Sequence, residues 1–465
     1  MSIKFSKEVF EIGIVAFFLN LLVFFSLALN LILGIVVLIA LFFFLAERKK
    51  LFYSFFILAV FFQNTFIAFF TGVINSETHF KILHGINFFL PSLLTMFVFK
   101  NSSEYFDKAF YRKSIFIIII LIAYFVFGIY GYGFLNSAQY LRLFLLPVLF
   151  LLSGIYFSKK IDIAFLNSSL KVMLLICSII TLFQFIFPYI ISYVLNDLEY
   201  FSMKWGIEGW DELLGRYKSK RLFNISWFDF KLARIGSLIK SIISLGYFLT
   251  ILGIYFYLPN NKFRLFGIIL LVIFAVNSKG AVLVFLFSSF LYFLVYHTNL
   301  SKRISYSLYI FANLCLIYVG YLGRNEHIVG FVSGAEYLIS FGNGLGFGGN
   351  LSTSMVSSYK GMPLTDMGYW TRFQNGSESV YGVLFSSLGI FSFFYLYYFF
   401  EIIVMLFRKF KSKISQIRVL NVLAVVLFVQ GIYQEEAFSP YAFGLVMFLV
   451  GLNFKRQYEG EIVPV

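Results

Sequence analysis

Charged side chains are scarce in this 465-residue chain, where Asp, Glu, Lys and Arg together make up 13% of the residues. Hydrophobic residues make up 60%, and they form repeated runs long enough to cross the ~30 Å hydrocarbon core of a bilayer. A soluble fold therefore has very little support. The runs are continuous rather than alternating, and only a helix satisfies every backbone group inside such a run, which excludes a membrane β-barrel. The sequence predicts an all-α, polytopic membrane protein.

Cysteine and histidine are also rare, with two and four residues respectively. Both cysteines lie inside apolar runs, where a free thiol behaves as a small hydrophobe, so no disulfide framework is expected. The nearest approach to a metal site is two acidic pairs, Asp197 with Glu199 and Glu435 with Glu436. Neither pair has a histidine or a further carboxylate close in the sequence, which favours solvated carboxylates over metal ligands.

The net charge of +15 does not indicate a nucleic-acid partner. Most basic residues lie in short connections between apolar runs, where the preference of membrane proteins for cytoplasmic Lys and Arg already accounts for them. We therefore expect this chain to lie in the lipid bilayer and not to bind nucleic acid.

Hydropathy predicts about fourteen membrane spans, and the loop charges orient them. Basic clusters at 48–50, 159–160, 302–303 and 455–456 all fall on one side if both termini are cytoplasmic. The pair of runs around 277–280 is the least certain, since it could be a re-entrant element. The predicted spans are 10–27, 29–46, 51–74, 82–99, 114–130, 140–157, 164–190, 236–257, 265–276, 281–297, 305–322, 378–400, 419–434 and 440–454.

Two segments on the opposite side, 191–235 and 323–377, are much longer than the other connections, and loops of that length usually carry function. The stretch from 191 to 240 holds eight basic residues, although Lys and Arg on this side oppose the orientation signal. The expected reason for their presence is an anionic substrate. The apolar and aromatic content of segment 191–235 predicts partly helical structure at the membrane interface rather than a disordered tether.

Several cations are candidates for holding a phosphate or pyrophosphate. Lys231 and Arg234 are three residues apart, so they would share a helix face, although snorkelling to lipid headgroups is the ordinary role of such residues. Arg142 lies inside a span, where a central arginine costs ~2.5–3.5 kcal/mol and usually faces protein or a water-filled cavity. Four further cations are candidates. Arg221 and Arg324 lie in the two predicted outer segments, Lys279 lies in the Asn-Ser-Lys-Gly turn, and Lys240 lies at the start of span eight.

Arg372 and Glu378 flank the start of the twelfth span in TRFQNGSESVYG. A carboxylate there could act as general base on a hydroxyl while the arginine steadies a developing anion. The alternative is a glutamate that merely stabilises the helix start through the macrodipole. Upstream, Gly344, Gly346 and Gly349 form a GxGxxG pattern without the βαβ context of a dinucleotide site, so their expected contribution is a tightly folded loop over a membrane cavity.

The order of motifs across residues 231–400 resembles the O-antigen polymerase and O-antigen ligase superfamily of bacterial membrane glycosyltransferases. The motifs are ARIGSLIKSIISLGYFL, AVNSKGAVLVFLFSSFLYFL, GNGLGFGG and ESVYGVLFSSLGIFSFFYLYYF. The resemblance implies a fold related to the glycosyltransferase C class, an enzyme of the cytoplasmic (inner) membrane, and metal-independent glycan transfer from undecaprenyl pyrophosphate without a cofactor. It also implies a chain-length regulator and a flippase as partners.

The resemblance assigns roles to individual residues. Arg234 falls at the family's arginine before the span that follows the first long loop. Lys279 takes the place of the arginine in the family's Ser-Arg-Gly turn, which keeps the charge but loses bidentate phosphate geometry. Glu378 stands where ligases commonly have a histidine, which favours a polymerase over a ligase. In the mechanism that follows, Glu378 deprotonates the acceptor hydroxyl, while Arg234, Lys279, Arg142 and Arg372 neutralise the departing undecaprenyl pyrophosphate.

Other functions remain open at this point. An O-antigen ligase shares most of the motifs. A flippase or transporter of lipid-linked sugars would also be multi-span and cationic inside, but it would be expected to show short loops, repeated halves and mid-membrane charges. A chain-length regulator would carry few spans and a large coiled-coil outer domain.

Overall fold

A computed structural model describes residues 7–100, 108–225, 230–233, 235–259, 263–296, 302–349, 378–408 and 415–454. Within these ranges the chain is helical apart from turns and one short hairpin, which confirms the predicted helical class. Each of the fourteen predicted apolar stretches contains a helix. The hairpin was not predicted: β1 (Leu222–Ile225) pairs antiparallel with β2 (Phe230–Ala233) within residues 191–235, the first of the two predicted outer segments.

The helices are numbered in chain order. They are α1 (Lys7–Leu29), α2 (Leu31–Ala46), α3 (Lys49–Phe61), α4 (Gln63–Phe69), α5 (Glu77–Leu83), α6 (Ile86–Lys100), α7 (Lys108–Tyr132), α8 (Phe134–Lys160), α9 (Ile163–Ile186), α10 (Pro188–Val194), α11 (Asp197–Trp205), α12 (Trp210–Arg221), α13 (Ile242–Tyr257), α14 (Phe263–Val276), α15 (Lys279–Tyr296), α16 (Lys302–Ala335), α17 (Val380–Leu388), α18 (Ser392–Arg408), α19 (Ser415–Gln430) and α20 (Phe443–Leu452). Short 3-10 turns lie at Thr71–Val73, Ser237–Ile239, Glu336–Ile339, Gly389–Phe391 and Glu435–Phe438.

The described residues contain seven helices that are long and apolar enough to cross a membrane, or ten if each of three bent pairs is one span. The bends are 74° between α3 and α4, 43° between α5 and α6, and 107° within α16. Fourteen crossings would require each bent pair and four shorter apolar helices to cross as well. The predicted number of spans, the two long loops and the cytoplasmic termini therefore stay predictions.

The chain groups into two compact units. The first consists of Met1–Phe97, Ser153–Val282 and Leu452–Val465, and the second of Val98–Leu152 and Leu283–Gly451. Within the predicted second outer segment, residues 323–377, α16 continues past residue 323 to Ala335.

Close helix contact in the second unit depends on glycine. A Cβ atom added to Gly334 of α16 would lie 2.3 Å from the Cα atom of Gly382 in α17, and one added to Gly382 would lie 2.3 Å from the carbonyl oxygen of Gly330. Gly330 and Gly334 form the small-xxx-small pattern that lets two membrane helices approach at backbone distance. Directly after α17 ends, the backbone at Gly389 is packed equally tightly against the backbone of Ser340.

The glycine-rich segment 340–349 is held by backbone hydrogen bonds to three helices of this unit. Leu345 N–H donates to the Tyr124 carbonyl (3.1 Å), and the Ser137 hydroxyl donates to the Leu345 carbonyl (2.8 Å). Asn343 N–H donates to the Ser386 carbonyl (2.9 Å). The segment therefore lies folded over α7, α8 and α17, as its glycine content predicted.

We expect Gly334→Leu to destabilise the second unit by about 1–3 kcal/mol or more, because the new side chain overlaps the backbone of α17. The matched control is Gly323→Leu on the same helix, where an added Cβ atom meets nothing within 4 Å. Thermal unfolding in detergent measures both variants. Equal melting temperatures for the two variants would contradict the glycine-mediated crossing.

Candidate functional site

Three carboxylates of the second unit come together around Glu435. The Gln434 amide donates to Glu378 Oε2 (3.4 Å), and Glu435 lies within electrostatic reach of both Glu378 and Glu436. The Tyr140 hydroxyl forms a hydrogen bond with Glu435. Glu435 is only 4% exposed, whereas Glu378 and Glu436 are half-buried. We call these five residues, including Gln434, the acidic cluster.

Local structure fixes Glu378 at this position. The next residue, Ser379, caps α17 by accepting a hydrogen bond from Gly382 N–H (3.1 Å), so the helix begins directly after the carboxylate. Val380 N–H donates to the Gly431 carbonyl (2.9 Å), and the Tyr381 hydroxyl donates to the Phe428 carbonyl. The start of α17 is thereby held against the end of α19, and the turn after α19 supplies Gln434, Glu435 and Glu436.

The glycine-rich segment ends on the same cluster. Gly349 has a φ of +93°, and an added Cβ atom there would lie 2.2 Å from the Tyr140 hydroxyl oxygen and 2.6 Å from Val383 Cγ2. Only glycine fits this conformation and this space. The last described residue before 350–377 and the first one after it therefore both lie beside the Tyr140–Glu435 pair, at Gly349 and Glu378.

One buried oxygen of the cluster is left as a possible acceptor. Glu435 Oε1 has no hydrogen-bond partner among the described residues, and the carboxyl groups of Glu378 and Glu436 lie within electrostatic reach. A buried carboxyl group without full hydrogen bonding is costly, and a ligand or a proton that reaches it would relieve that cost. The described residues hold no group of His, Cys, Asp and Glu arranged to bind a metal ion. The arrangement suits hydroxyl groups, which donate to carboxylates.

The other predicted site residues are distributed over both units. Arg142 is half-buried in α8 of the second unit, two residues after Tyr140. Lys279 is the exposed first residue of α15, in the first unit. The backbones of Arg221, Lys231 and Arg324 lie in α12, β2 and α16, but their side chains are outside the described part of the structure. Arg234 and Arg372 also lie outside the described residues.

Lys240 is not available to a substrate, because it forms a fully buried ion pair in the first unit. Its Nζ atom lies 2.5 Å from Asp197 Oδ1 and donates to the Leu195 carbonyl (2.7 Å). Asp197 Oδ2 accepts hydrogen bonds from the Gln184 amide (3.0 Å) and the Tyr217 hydroxyl (3.1 Å). Lys240, a candidate phosphate-binding residue on the basis of the sequence, therefore has a structural role instead.

The Asp197-Glu199 pair also divides into two structural roles. Asp197 belongs to the buried ion pair, while Glu199 Oε2 accepts from the Asn196 amide (2.7 Å) and the Thr71 hydroxyl (3.2 Å). Among the basic residues of the first outer segment, Arg216 lies over the Trp205 ring at 5.3 Å. These contacts hold the start of the predicted segment 191–235 against its own unit, and they occupy the carboxylates in structural roles.

The sequence pattern predicts Glu378 as a site residue but does not connect it with Glu435 and Glu436. These two form an adjacent pair with no further carboxylate close in the sequence, and the carboxyl group beside them in the fold is that of Glu378, far away in the chain. Tyr140 has no sequence signal of its own. The sequence marks α8 only through Arg142, because a charge inside a membrane span is costly.

No protein-family model, no curated protein and no solved structure matches this chain. The resemblance across residues 231–400 therefore stays a prediction from the sequence. The acidic cluster and the buried ion pair are described by their own geometry alone.

The ion pair gives a direct test of its structural role. Lys240→Met leaves Asp197 buried without its cation, and breaking a buried pair in this way costs about 3–5 kcal/mol. The matched control is Lys113→Met, which breaks the largely exposed pair with Glu401 and should cost no more than about 1 kcal/mol. Thermal unfolding of the purified variants in detergent compares them. A Lys240→Met variant that melts with the wild-type protein would contradict the structural assignment.

Proposed function

We propose that this chain is a glycosyltransferase of the O-antigen polymerase type. It would join undecaprenyl-pyrophosphate-linked oligosaccharide repeat units at the outer face of the bacterial cytoplasmic membrane, without a metal ion. The observation that carries the proposal is the position of Glu378 beside the buried Glu435, with Gly349 packed against Tyr140 of the same cluster. A general base for a sugar hydroxyl needs such a carboxylate within hydrogen-bonding reach of its substrate.

At this site the acceptor hydroxyl of an incoming repeat unit donates its proton to Glu378. The hydroxyl oxygen attacks the anomeric carbon of the growing chain, and the bond from that carbon to the pyrophosphate oxygen breaks. Undecaprenyl pyrophosphate leaves with the bonding electron pair. The Glu435 oxygen that has no hydrogen-bond partner among the described residues accepts a hydrogen bond from another sugar hydroxyl.

The leaving pyrophosphate requires positive charge. In this proposal Arg142 and Arg372 supply it, since fixed cations that meet developing negative charge stabilise the transition state. The sequence resemblance names Arg234 and Lys279 as further cations for the leaving group. The remaining candidates, Lys231, Arg221 and Arg324, hold the anionic carrier or the glycan. A flippase that delivers lipid-linked repeat units and a chain-length regulator are the expected partners.

Glu378→Gln and Arg234→Ala should each nearly abolish long polymer, because loss of one preorganised charged group costs on the order of 10²–10³ in rate. The measurement is the length distribution of surface polysaccharide in a strain whose only copy carries the variant. Glu401→Gln, which changes an outlying glutamate of the same unit, is the matched control. Continued display of a single repeat unit shows that the flippase step is intact.

Full-length polymer at wild-type abundance from Glu378→Gln or Arg234→Ala would remove that residue from the mechanism. Loss of the single repeat unit as well would instead favour a flippase or transporter.

Tyr140→Phe should slow turnover about tenfold or more, since it removes the hydrogen bond that orients a buried carboxylate while preserving the ring. The matched control is Tyr398→Phe, another buried tyrosine of the same unit, whose hydroxyl pairs with Ser114 at 3.0 Å. Turnover of purified protein separates the two. Similar rates for both variants would exclude Tyr140 from the site.

A further inference from the structure

An apolar groove of about 450 Å³ lies within the first unit. It is bounded by α1, by the bent pair α3 and α4, and by α9. Phe10 and Phe18 of α1 are 59% and 62% exposed along its edge, and all of these helices belong to candidate membrane spans. The groove therefore opens on the side where lipid surrounds the protein.

The groove has a defined length. Its lining along α9 runs from Ser169 to Ile180, which is about 16 Å at the rise of an α-helix. That is roughly half of the ~30 Å hydrocarbon core, or one leaflet. A single acyl chain of a phospholipid has this reach, whereas a polyisoprenoid tail of many repeats is much longer than one leaflet.

Two leucines of the groove lining are fixed in place by polar contacts of their backbones. Leu195 and Leu238 both line the groove. The carbonyl of Leu195 accepts a hydrogen bond from Lys240, and the carbonyl of Leu238 accepts one from the Thr65 hydroxyl. The buried ion pair therefore holds part of the groove lining in place.

The starts of α1, α3 and α9 meet in a charged cluster, within about one turn of the first residues that line the groove on each of these helices. Lys50 Nζ lies 2.6 Å from Glu8 Oε1 and 5.1 Å from the centre of the Phe165 ring. Lys7 lies 3.6 Å from Glu11. The other charged residues of these helix starts are Glu47, Arg48, Lys49 and Asp162. Cations and carboxylates alternate in this cluster, which matches a headgroup that carries both a phosphate and an ammonium group.

We propose that this groove binds one acyl chain of a zwitterionic phospholipid of the phosphatidylethanolamine type. The phosphate lies at Lys7 and Lys50, and the ammonium group lies at Glu8 or Glu11. The acyl chain fills the space between the aromatic side chains, which regain the dispersion contacts that an open groove lacks. This site is independent of the acidic cluster and of the proposed glycan transfer.

The test uses a photoreactive phosphatidylethanolamine that carries a diazirine on its acyl chain, with full-length purified protein in lipid nanodiscs. Peptide mapping should place the label on α1 and α9. Gly13→Phe fills the groove, and since an added Cβ atom at Gly13 meets nothing within 4 Å, the helix tolerates the change. We expect at least a tenfold loss of labelling on these helices. Gly267→Phe in α14 is the matched control, because its added Cβ atom also meets nothing within 4 Å and it lies outside the groove lining.

A second arm tests the headgroup and the source of the chain. The double variant Lys7→Gln with Lys50→Gln should lower labelling, and unlabelled phosphatidylethanolamine should compete better than phosphatidylglycerol. Labelling of Gly13→Phe at the wild-type level would overturn the proposal. Stronger competition by undecaprenyl phosphate than by phosphatidylethanolamine would overturn the assigned occupant.

Discussion

A charged side chain buried among apolar helices must be compensated, and this requirement governs both units. Removing Lys240 and Asp197 from water is costly, so the first unit surrounds the pair with the amide of Gln184, the hydroxyl of Tyr217 and a backbone carbonyl. The compensation ties the start of α11 to α9 through Gln184. Since the same contacts fix Leu195, they also hold one residue of the apolar groove's lining in place.

The second unit leaves a buried carboxyl group incompletely hydrogen-bonded. Glu435 has the Tyr140 hydroxyl as a partner, yet one oxygen has none among the described residues, and two more carboxylates crowd around it. Glycine-mediated packing holds this arrangement, because Gly334 and Gly382 bring α16 against α17 and Gly349 leaves room for Tyr140. A fully satisfied buried pair serves structure, whereas a rigidly held and unsatisfied carboxylate is suited to a substrate.

Sequence patterns predicted the helices well, since each long apolar run must be helical in a bilayer. The 74° bend at Phe62 was not predictable, because neither proline nor glycine marks it. Glycine content did predict the tight segment, and Gly342, Gly344, Gly346 and Gly349 all have positive φ. The Lys240–Asp197 pair and the approach of Glu378 to Glu435 join residues far apart in the chain. Such contacts depend on how helices pack, and no local pattern in a single sequence records them.

Turnover by purified protein tests the central claim most directly. Supplied with lipid-linked repeat units and no other protein, the wild-type chain should release one undecaprenyl pyrophosphate for each new glycosidic bond. The Glu378→Gln protein, checked for a native melting temperature, should release almost none. Equal release by both proteins, or no glycosidic bond formed by well-folded wild-type protein, would contradict glycan transfer at the acidic cluster.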